Sequence, residues 1–159
     1  MKKLIKLLAT GLYTGFLPKT PGTFGSIAYC VLFLIMIKYL EPTVLLTSLI
    51  SLVITACGYL VSNLYLKLFS TTEHSDPKEI VIDEWAGMAV ALIPIPFAIE
   101  PLKYIIVSFI LFRLFDITKP RPISNVEKLP GALGIMADDL LAGIFAALIS
   151  ILLIFLQIL

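Results

Sequence analysis

The chain has 159 residues, of which 59% are hydrophobic and 14% are charged, and its mean hydropathy is +1.02. Soluble domains are about 45–50% apolar and about 25% charged, so this composition excludes an ordinary soluble domain and a disordered chain. A net charge of +1 gives no broad basic field, so we expect no nucleic-acid partner. The length suits one domain over residues 1–159, and we expect a small integral membrane protein.

The first eight residues, MKKLIKLL, combine basic and apolar side chains. Lys6 interrupts the apolar run and no small-residue cleavage site follows, so the segment differs from a signal peptide. A short basic amphipathic segment of this kind favours the membrane interface, with Lys2, Lys3 and Lys6 on lipid phosphates. We therefore predict an interfacial N-terminal helix.

Stretches without charge predict the membrane crossings. Residues 42–66 and 140–159 carry no charged side chain, and each reaches the length of about 20 residues that a spanning helix needs. Together with shorter apolar runs they predict an all-α membrane bundle of five hydrophobic helices. The predicted helices lie near residues 24–40, 43–68, 81–94, 101–118 and 139–158. The third is short, at about 21 Å against about 30 Å of hydrocarbon.

The basic residues predict how this bundle is oriented. With five crossings, ten of the twelve Lys and Arg residues fall on one side, and only Lys38 and Lys103 fall on the other. The positive-inside rule places the side with ten in the cytoplasm, together with the N-terminus. The acids divide in the same way, because only Glu41 and Glu100 lie outside. We therefore predict a multi-pass membrane protein whose polar residues gather at the cytoplasmic face.

Four polar clusters fall on that cytoplasmic side. They read PKTPGTFGS (18–26), DPKEIVIDEWAG (76–87), FRLFDITKPRPI (112–123) and GALGIMADDLLAG (131–143). In the first cluster Thr23 can cap a helix, and the free backbone N–H groups of a helix start attract phosphate. Any one cluster is also explained by a cap, a charge pair or a solvated loop. Their conjunction at the same ends of several helices indicates a site.

Five acids are expected to meet in this site. Asp83 and Glu84 open the third predicted helix, and Asp116 lies near the end of the fourth. Asp138 and Asp139 open the fifth. Like charges brought together repel, a hard divalent cation removes that cost, and carboxylate oxygens suit Mg²⁺. The predicted metal ligands are therefore Asp83, Glu84, Asp116, Asp138 and Asp139.

Basic and small residues form the anion-binding side of the predicted site. Arg113 lies three residues before Asp116 and shares its helix face. A guanidinium and ammonium groups here would bind phosphate oxygens through charge-assisted hydrogen bonds. The predicted phosphate contacts are Thr23, Gly25, Ser26, Arg113, Lys119 and Arg121.

Glycine follows an acid by four residues in two of the clusters. The pairs are Asp83 with Gly87 and Asp139 with Gly143. Residues four apart share a helix face, and a glycine on that face lets another helix approach closely. The spacing therefore predicts close helix contacts beside the acids. Such glycine faces permit a homo-oligomer but do not indicate one.

Familiar nucleophile motifs are absent from the sequence. His74 is the single histidine, which excludes a two-histidine metal site. There is no cysteine-phosphatase loop, no DxDx(T/V) run and no GxxxxGK[ST] nucleotide loop. Attack by water with metal assistance is the chemistry that remains.

Two other functional classes stay open on this sequence. A divalent-cation transporter could line a path with acids, although it should carry them in mid-helix, whereas these acids fall at predicted cytoplasmic ends. A non-catalytic membrane scaffold would explain the apolar helices but not the clustered like charges. An enzyme would release phosphate from a lipid substrate, and a transporter or a scaffold would not, so measuring that release distinguishes the classes.

Four motifs, PGTFGS (21–26) within the first cluster and the other three clusters in full, resemble in their order and spacing the phosphatidylglycerophosphatase A family over nearly the whole chain. The resemblance implies an all-α bundle with one helix surrounded by others. It also implies a Mg²⁺-dependent enzyme of the bacterial inner membrane that hydrolyses the terminal phosphomonoester of phosphatidylglycerophosphate, giving phosphatidylglycerol and phosphate in phospholipid synthesis. The family's usual His-Asp before the second motif reads here as His74-Ser75-Asp76.

If that resemblance holds, four carboxylates are the expected catalytic residues. They are Asp83, Glu84, Asp116 and Asp139. One carboxylate that does not bind the metal is expected to act as general base, with Glu84 and Asp139 as alternatives. Stabilisation of charge by the basic residues should dominate, since phosphoryl transfer has a loose transition state.

Overall fold

The structure, a computed structural model, describes residues 1–69 and 77–159, and every regular element in those two ranges is helical. The α-helices there are α1 (Lys2–Ala9), α2 (Pro21–Tyr39), α3 (Val44–Phe69), α4 (Ile82–Ala91), α5 (Pro101–Thr118), α6 (Ile123–Val126) and α7 (Ala132–Phe155). Short 3₁₀ turns lie at Thr14–Phe16 and Ile95–Phe97. His74 and Asp76 lie outside the described residues.

Among the described helices, α2, α3 and α7 are long and apolar enough to cross a membrane. Their outer faces expose large apolar side chains such as Leu45, Leu52 and Leu148, which only lipid can solvate without cost. Helix α5 is about 27 Å long but carries Lys103, Arg113 and Asp116, and α4 spans only about 15 Å. The predicted all-α membrane bundle is confirmed, with α4 and α5 outside the set of spanning candidates.

Helix α4 is the central helix of the bundle. It packs against α2, α3, α5 and α7, and seven of its ten residues are buried. Small side chains make this possible, because Ala86, Gly87 and Ala89 let neighbouring helices approach closely. The expectation of one helix surrounded by others is therefore confirmed.

The start of α7 was predicted wrongly. The helix begins at Ala132 and not at residue 139, so Asp138 and Asp139 lie in its second turn and do not open it. Gly131, with φ +60°, is the residue that precedes the helix, and nothing between it and Asp139 breaks a helix. The two carboxylates mark the part of α7 that faces the polar cavity. The helix itself begins earlier, at Ala132.

Two further helix boundaries also differ from the predictions. Helix α2 begins at Pro21, a favoured first position for proline, so Thr23 lies inside the first turn and does not cap the helix. Helix α4 ends at Ala91 and not at residue 94, because Pro94 disfavours helical backbone before it and leads into a 3₁₀ turn.

Polar contacts fix the end of the bundle opposite to the acids. The Lys103 ammonium at the start of α5 donates to the carbonyl of Ile158, beyond the end of α7, at 2.7 Å. The Thr47 hydroxyl near the start of α3 donates to the carbonyl of Ile93 at 3.1 Å. Asp139 lies about 24 Å along α7 from Phe155, so the acidic residues occupy the other end of the bundle.

Helix α1 packs on the acidic end. Its buried residues, Ile5 and Ala9, join a small apolar cluster with Tyr65, Ile80 and Ile82. The Val81 N–H donates to the carbonyl of Ala9 at 2.9 Å, which ties α1 to the residue before α4. Of the basic side chains of α1, Lys2 and Lys3 are exposed and Lys6 is half-buried. This arrangement matches the predicted amphipathic N-terminal helix.

Candidate active site

The acids meet because α4 and α7 cross at two glycines. A Cβ added to Gly143 would overlap the carbonyl of Gly87, so the two backbones are in direct contact there. Asp83 and Asp139 lie one helical turn before these glycines, on the same faces. The contact therefore brings both carboxylates together, as the glycine spacing predicted.

Three of the acids form a compact cluster. Asp83, Glu84 and Asp139 each offer a carboxylate oxygen, and these oxygens lie within 4.8 Å of one another. Asp83 and Asp139 are buried, with 8% and 4% of their surfaces exposed. The Glu84 N–H donates to Asp83 Oδ1 at 3.0 Å. Glu84 Oε2 and Asp139 Oδ1 are buried without a hydrogen-bond partner among the described residues.

The other two acids are paired with basic side chains. Arg113 Nη1 lies 2.8 Å from Asp116 Oδ2, one helical turn apart on α5. Lys119 Nζ donates to Asp138 Oδ2 at 2.8 Å and to Glu127 Oε1 at 2.6 Å. Lys119 can reach both because it ends α5 in a left-handed conformation, with φ +41°. The five acids thus divide into three without a basic partner and two that have one.

Burial and repulsion make the uncharged forms of the α4 acids favourable. Burial, with the charge of Glu84 adding to it, raises the pKa of Asp83 well above its ordinary value. Burial raises the pKa of Glu84 to about 8, with a further contribution from the nearby carboxylate of Asp139. A cation bound among these carboxylates would remove this cost, which is why the cluster fits a metal ion.

For the pKa of Lys119, ion pairing outweighs burial. Burial alone lowers the pKa of its ammonium, but the carboxylates of Asp138 and Glu127 outweigh that effect and the pKa is raised above its ordinary value. Lys119 therefore stays charged at neutral pH and neutralises Asp138 beside the acidic cluster.

A cavity of about 450 Å³ opens over the carboxylates. All five acids line it, together with the predicted phosphate contacts Thr23, Arg113 and Lys119. Residues that sequence reasoning did not select also line it: Lys19, Thr20, Pro21, Gly22, Lys78, Ile80, Ile117 and Ile135. The two lysines lie within the first and second polar clusters, and considering every basic residue of each cluster would have found them.

Gly22 brings the start of α2 to the cavity. A Cβ at this position would overlap Glu84 Oε1 and would lie 3.3 Å from Arg113 Nη1. Any larger residue would therefore push α2 away from the acidic cluster. As in any helix start, the backbone N–H groups of the first turn lack partners within the helix, so those of Gly22 and Thr23 are free to bind an anion.

Three predicted phosphate contacts do not line the cavity. The Ser26 hydroxyl is fully buried and donates to the carbonyl of Gly22 at 2.8 Å. A Cβ on Gly25 would lie 2.8 Å from the Cβ of Val81, so this glycine permits helix packing. Arg121 is exposed. The geometry thus gives no support to Gly25, Ser26 or Arg121 as phosphate contacts.

The fold and the site define a class of protein: a helical membrane protein with a buried acidic cluster and basic groups around one cavity. The family model for phosphatidylglycerophosphatase A matches residues 7–154. This match covers more than nine-tenths of the chain and includes all four motifs. The chain therefore belongs to the phosphatidylglycerophosphatase A family.

Curated relatives agree with this family. The chain is 38% identical to the phosphatidylglycerophosphatase A of Haemophilus influenzae, over 91% of this chain and 85% of that protein. It is 32% identical to the Escherichia coli protein of the same name, over 89% and 78%. It is also 35% identical, over 88% and 87%, to a Bacteroides thetaiotaomicron protein provisionally named phosphatidylinositol-3-phosphatase. No solved structure matches the chain at comparable significance.

Proposed function

We propose that the chain is an enzyme that hydrolyses the terminal phosphomonoester of phosphatidylglycerophosphate, with Mg²⁺, at the cytoplasmic face of the inner membrane. The observation that carries the proposal is the cluster of Asp83, Glu84 and Asp139, which is largely buried, makes no salt bridge with a described residue and lies under a cavity lined by basic side chains. Two relatives that match over most of the chain carry the name of this activity.

The donor set fits a hard divalent cation. Carboxylate oxygens are the ligands that Mg²⁺ prefers, and it binds through one or two carboxylates together with substrate phosphates. Asp83 and one of Glu84 and Asp139 would hold the ion, and two oxygens of this cluster have no other partner among the described residues. The pairing of Asp116 and Asp138 with basic groups favours ligands from among these three acids. When bound, the ion supplies positive charge against the phosphate oxygens.

The remaining groups of the cavity position and neutralise the phosphomonoester. Arg113, Lys119 and the free N–H groups at the start of α2 surround the place where its oxygens would lie. In the reaction a water oxygen bonds to phosphorus while the bond to the lipid glycerol oxygen breaks, and that oxygen gains a proton. Whichever of Glu84 and Asp139 does not hold the ion accepts the proton of the water and passes it to that oxygen, since each has a carboxylate oxygen without a partner among the described residues.

The cytoplasmic location rests on charge. The acidic end of the bundle, with α1, the helix ends and the loops there, carries ten of the twelve Lys and Arg residues, which is the distribution of a cytoplasmic side. A phospholipid substrate would remain in the bilayer, so the enzyme would need to recognise only its headgroup. A transporter is less well supported, because the acids cluster at one end of the bundle and Glu41 and Glu100 are the only acids in the loops at the other.

Phosphate release by the purified protein tests the proposal. We expect release from phosphatidylglycerophosphate with Mg²⁺, loss of release with a chelator, and recovery when Mg²⁺ is restored. Phosphatidylinositol-3-phosphate serves as the comparison lipid and should be the poorer substrate. Faster release from it would overturn the substrate assignment, and release that a chelator does not affect would overturn the metal.

One matched pair of variants links the activity to the cluster. Glu84→Gln should lower the rate by at least about 100-fold, because a preorganised charged group is removed from the reacting centre. Glu100→Gln makes the same chemical change at the opposite end of the bundle and should leave the rate within about twofold. Equal rates in the two variants would contradict the proposed site.

A further inference from the structure

The basic residues of the cavity fall into two groups. Arg113 and Lys119 are held by the carboxylates of Asp116, Asp138 and Glu127. Lys19 and Lys78 line the same cavity, but neither makes a salt bridge with a residue that the structure describes. Within residues 1–69 and 77–159, these two lysines can therefore bind an anion without the loss of an ion pair.

These two lysines lie at the rim of the cavity. Lys19 and Lys78 are exposed, whereas Asp83 and Asp139 at the floor are buried. Lys19 immediately precedes Thr20 and the start of α2, and Lys78 lies four residues before α4. Lys19 also adopts φ +76°, which is uncommon for a residue with a side chain, so its loop holds a defined conformation.

The cavity is large enough for more than one phosphate group. Its volume of about 450 Å³ lies within the range of about 300–1,000 Å³ of small-molecule pockets. A phospholipid with a terminal phosphomonoester such as phosphatidylglycerophosphate also carries a phosphodiester, nearer to its acyl chains. With the monoester at the buried floor, the diester would lie towards the exposed rim, at the level of the lipid headgroups.

We propose that Lys19 and Lys78 form a second anion subsite that binds the phosphodiester of the lipid headgroup. The subsite rests on the proposed function, since the floor of the cavity must take the phosphomonoester. It makes the enzyme favour headgroups with two phosphates over lipids that carry a single phosphomonoester. Neither lysine touches the reacting phosphorus, so the subsite contributes to binding and not to the chemical step.

The test uses Lys19→Gln/Lys78→Gln in the full-length protein, purified in detergent with Mg²⁺. The matched control is Lys67→Gln/Lys128→Gln, which removes two exposed positive charges from the same end of the bundle but outside the cavity. Two soluble probes separate the subsites. Glycerophosphoglycerol carries the diester alone, and inorganic phosphate represents the monoester.

Calorimetric titration should show glycerophosphoglycerol binding about five- to tenfold more weakly to the Lys19/Lys78 variant than to the wild type and the control. Inorganic phosphate should bind all three proteins equally. On phosphatidylglycerophosphate, KM should rise by a similar factor while kcat stays within about twofold.

Unchanged binding of glycerophosphoglycerol, or no binding of it by the wild type, would overturn the subsite. A loss of affinity for inorganic phosphate, or a fall in kcat, would overturn it as well, because the lysines would then act on the monoester. The binding measurements do not need turnover. Absence of phosphate release by the wild type would therefore count against the proposed function alone.

Discussion

At the scale of single residues, the site depends on which acids have a basic partner. Lys119 joins Asp138, whose side chain is 10% exposed, to Glu127, whose side chain is 45% exposed. These two contacts are not equivalent, because a largely exposed ion pair contributes about 0–1 kcal/mol whereas a buried charge without its partner is strongly destabilising. The structure therefore separates a functional contact from a peripheral one.

Lys119→Met and Glu127→Gln test this difference. Lys119→Met leaves Asp138 unpaired beside the acidic cluster and should lower phosphatase activity by at least about tenfold, with a lower unfolding temperature. Glu127→Gln should change activity by less than about threefold, because the pair with Asp138 survives. Activity and thermal unfolding are measured on both purified variants. Similar losses in the two would show that Glu127, and not Asp138, is the partner that matters.

The sequence predicted the convergence of the acids and offered the pair of Arg113 with Asp116, but it did not predict the pairing of Asp138 with Lys119. The chain has few charged residues, and these acids were predicted at the same side of the bundle, so the sequence predicted that they lie close together. Pairing depends on a left-handed turn at Lys119 and on Glu127, which belongs to none of the four motifs. Ser26 was predicted to contact phosphate as part of the segment that starts the first predicted helix, yet it lies one turn after Gly22 and its hydroxyl donates to that carbonyl instead.

At the scale of helices, the contact between α4 and α7 holds the site together. It places Gly87 and Gly143 against each other and, one turn away, brings Asp83 to Asp139. This part of the fold was predictable, since an acid followed four residues later by glycine occurs on both helices. The ends of the helices were not predictable from charge, as the early start of α7 at Ala132 shows.

Adding one methyl group at this contact should separate the helices. A Cβ at Gly143 would overlap the carbonyl of Gly87, so Gly143→Ala should lower the free energy of unfolding by about 1–3 kcal/mol and reduce activity. Gly58→Ala in α3 is the control, because its Cβ would meet first the flexible end of Met136, at 3.0 Å. Thermal unfolding in detergent measures both. A loss for Gly58→Ala as large as that for Gly143→Ala would contradict the role of the contact.

At the scale of the whole molecule, the residues that line the cavity show which helix ends lie on the same side. Asp83 at the start of α4 and Asp116 near the end of α5 line one cavity. The α4–α5 pair therefore begins and ends at the same end of the bundle. The α2–α3 pair also begins and ends at that end of the bundle, because the start of α2 and the residues before α4 line the same cavity. The orientation therefore depends on one choice: which side of the membrane holds the acidic end.

Labelling of single cysteines decides that choice. In a background with Cys30→Ala and Cys57→Ala, we expect Glu41→Cys, between α2 and α3, to react with a membrane-impermeant thiol reagent in intact cells. Lys2→Cys and Lys128→Cys should react only after the membrane is opened, because basic loops stay in the cytoplasm. Labelling of Lys128→Cys but not Glu41→Cys in intact cells would reverse the orientation.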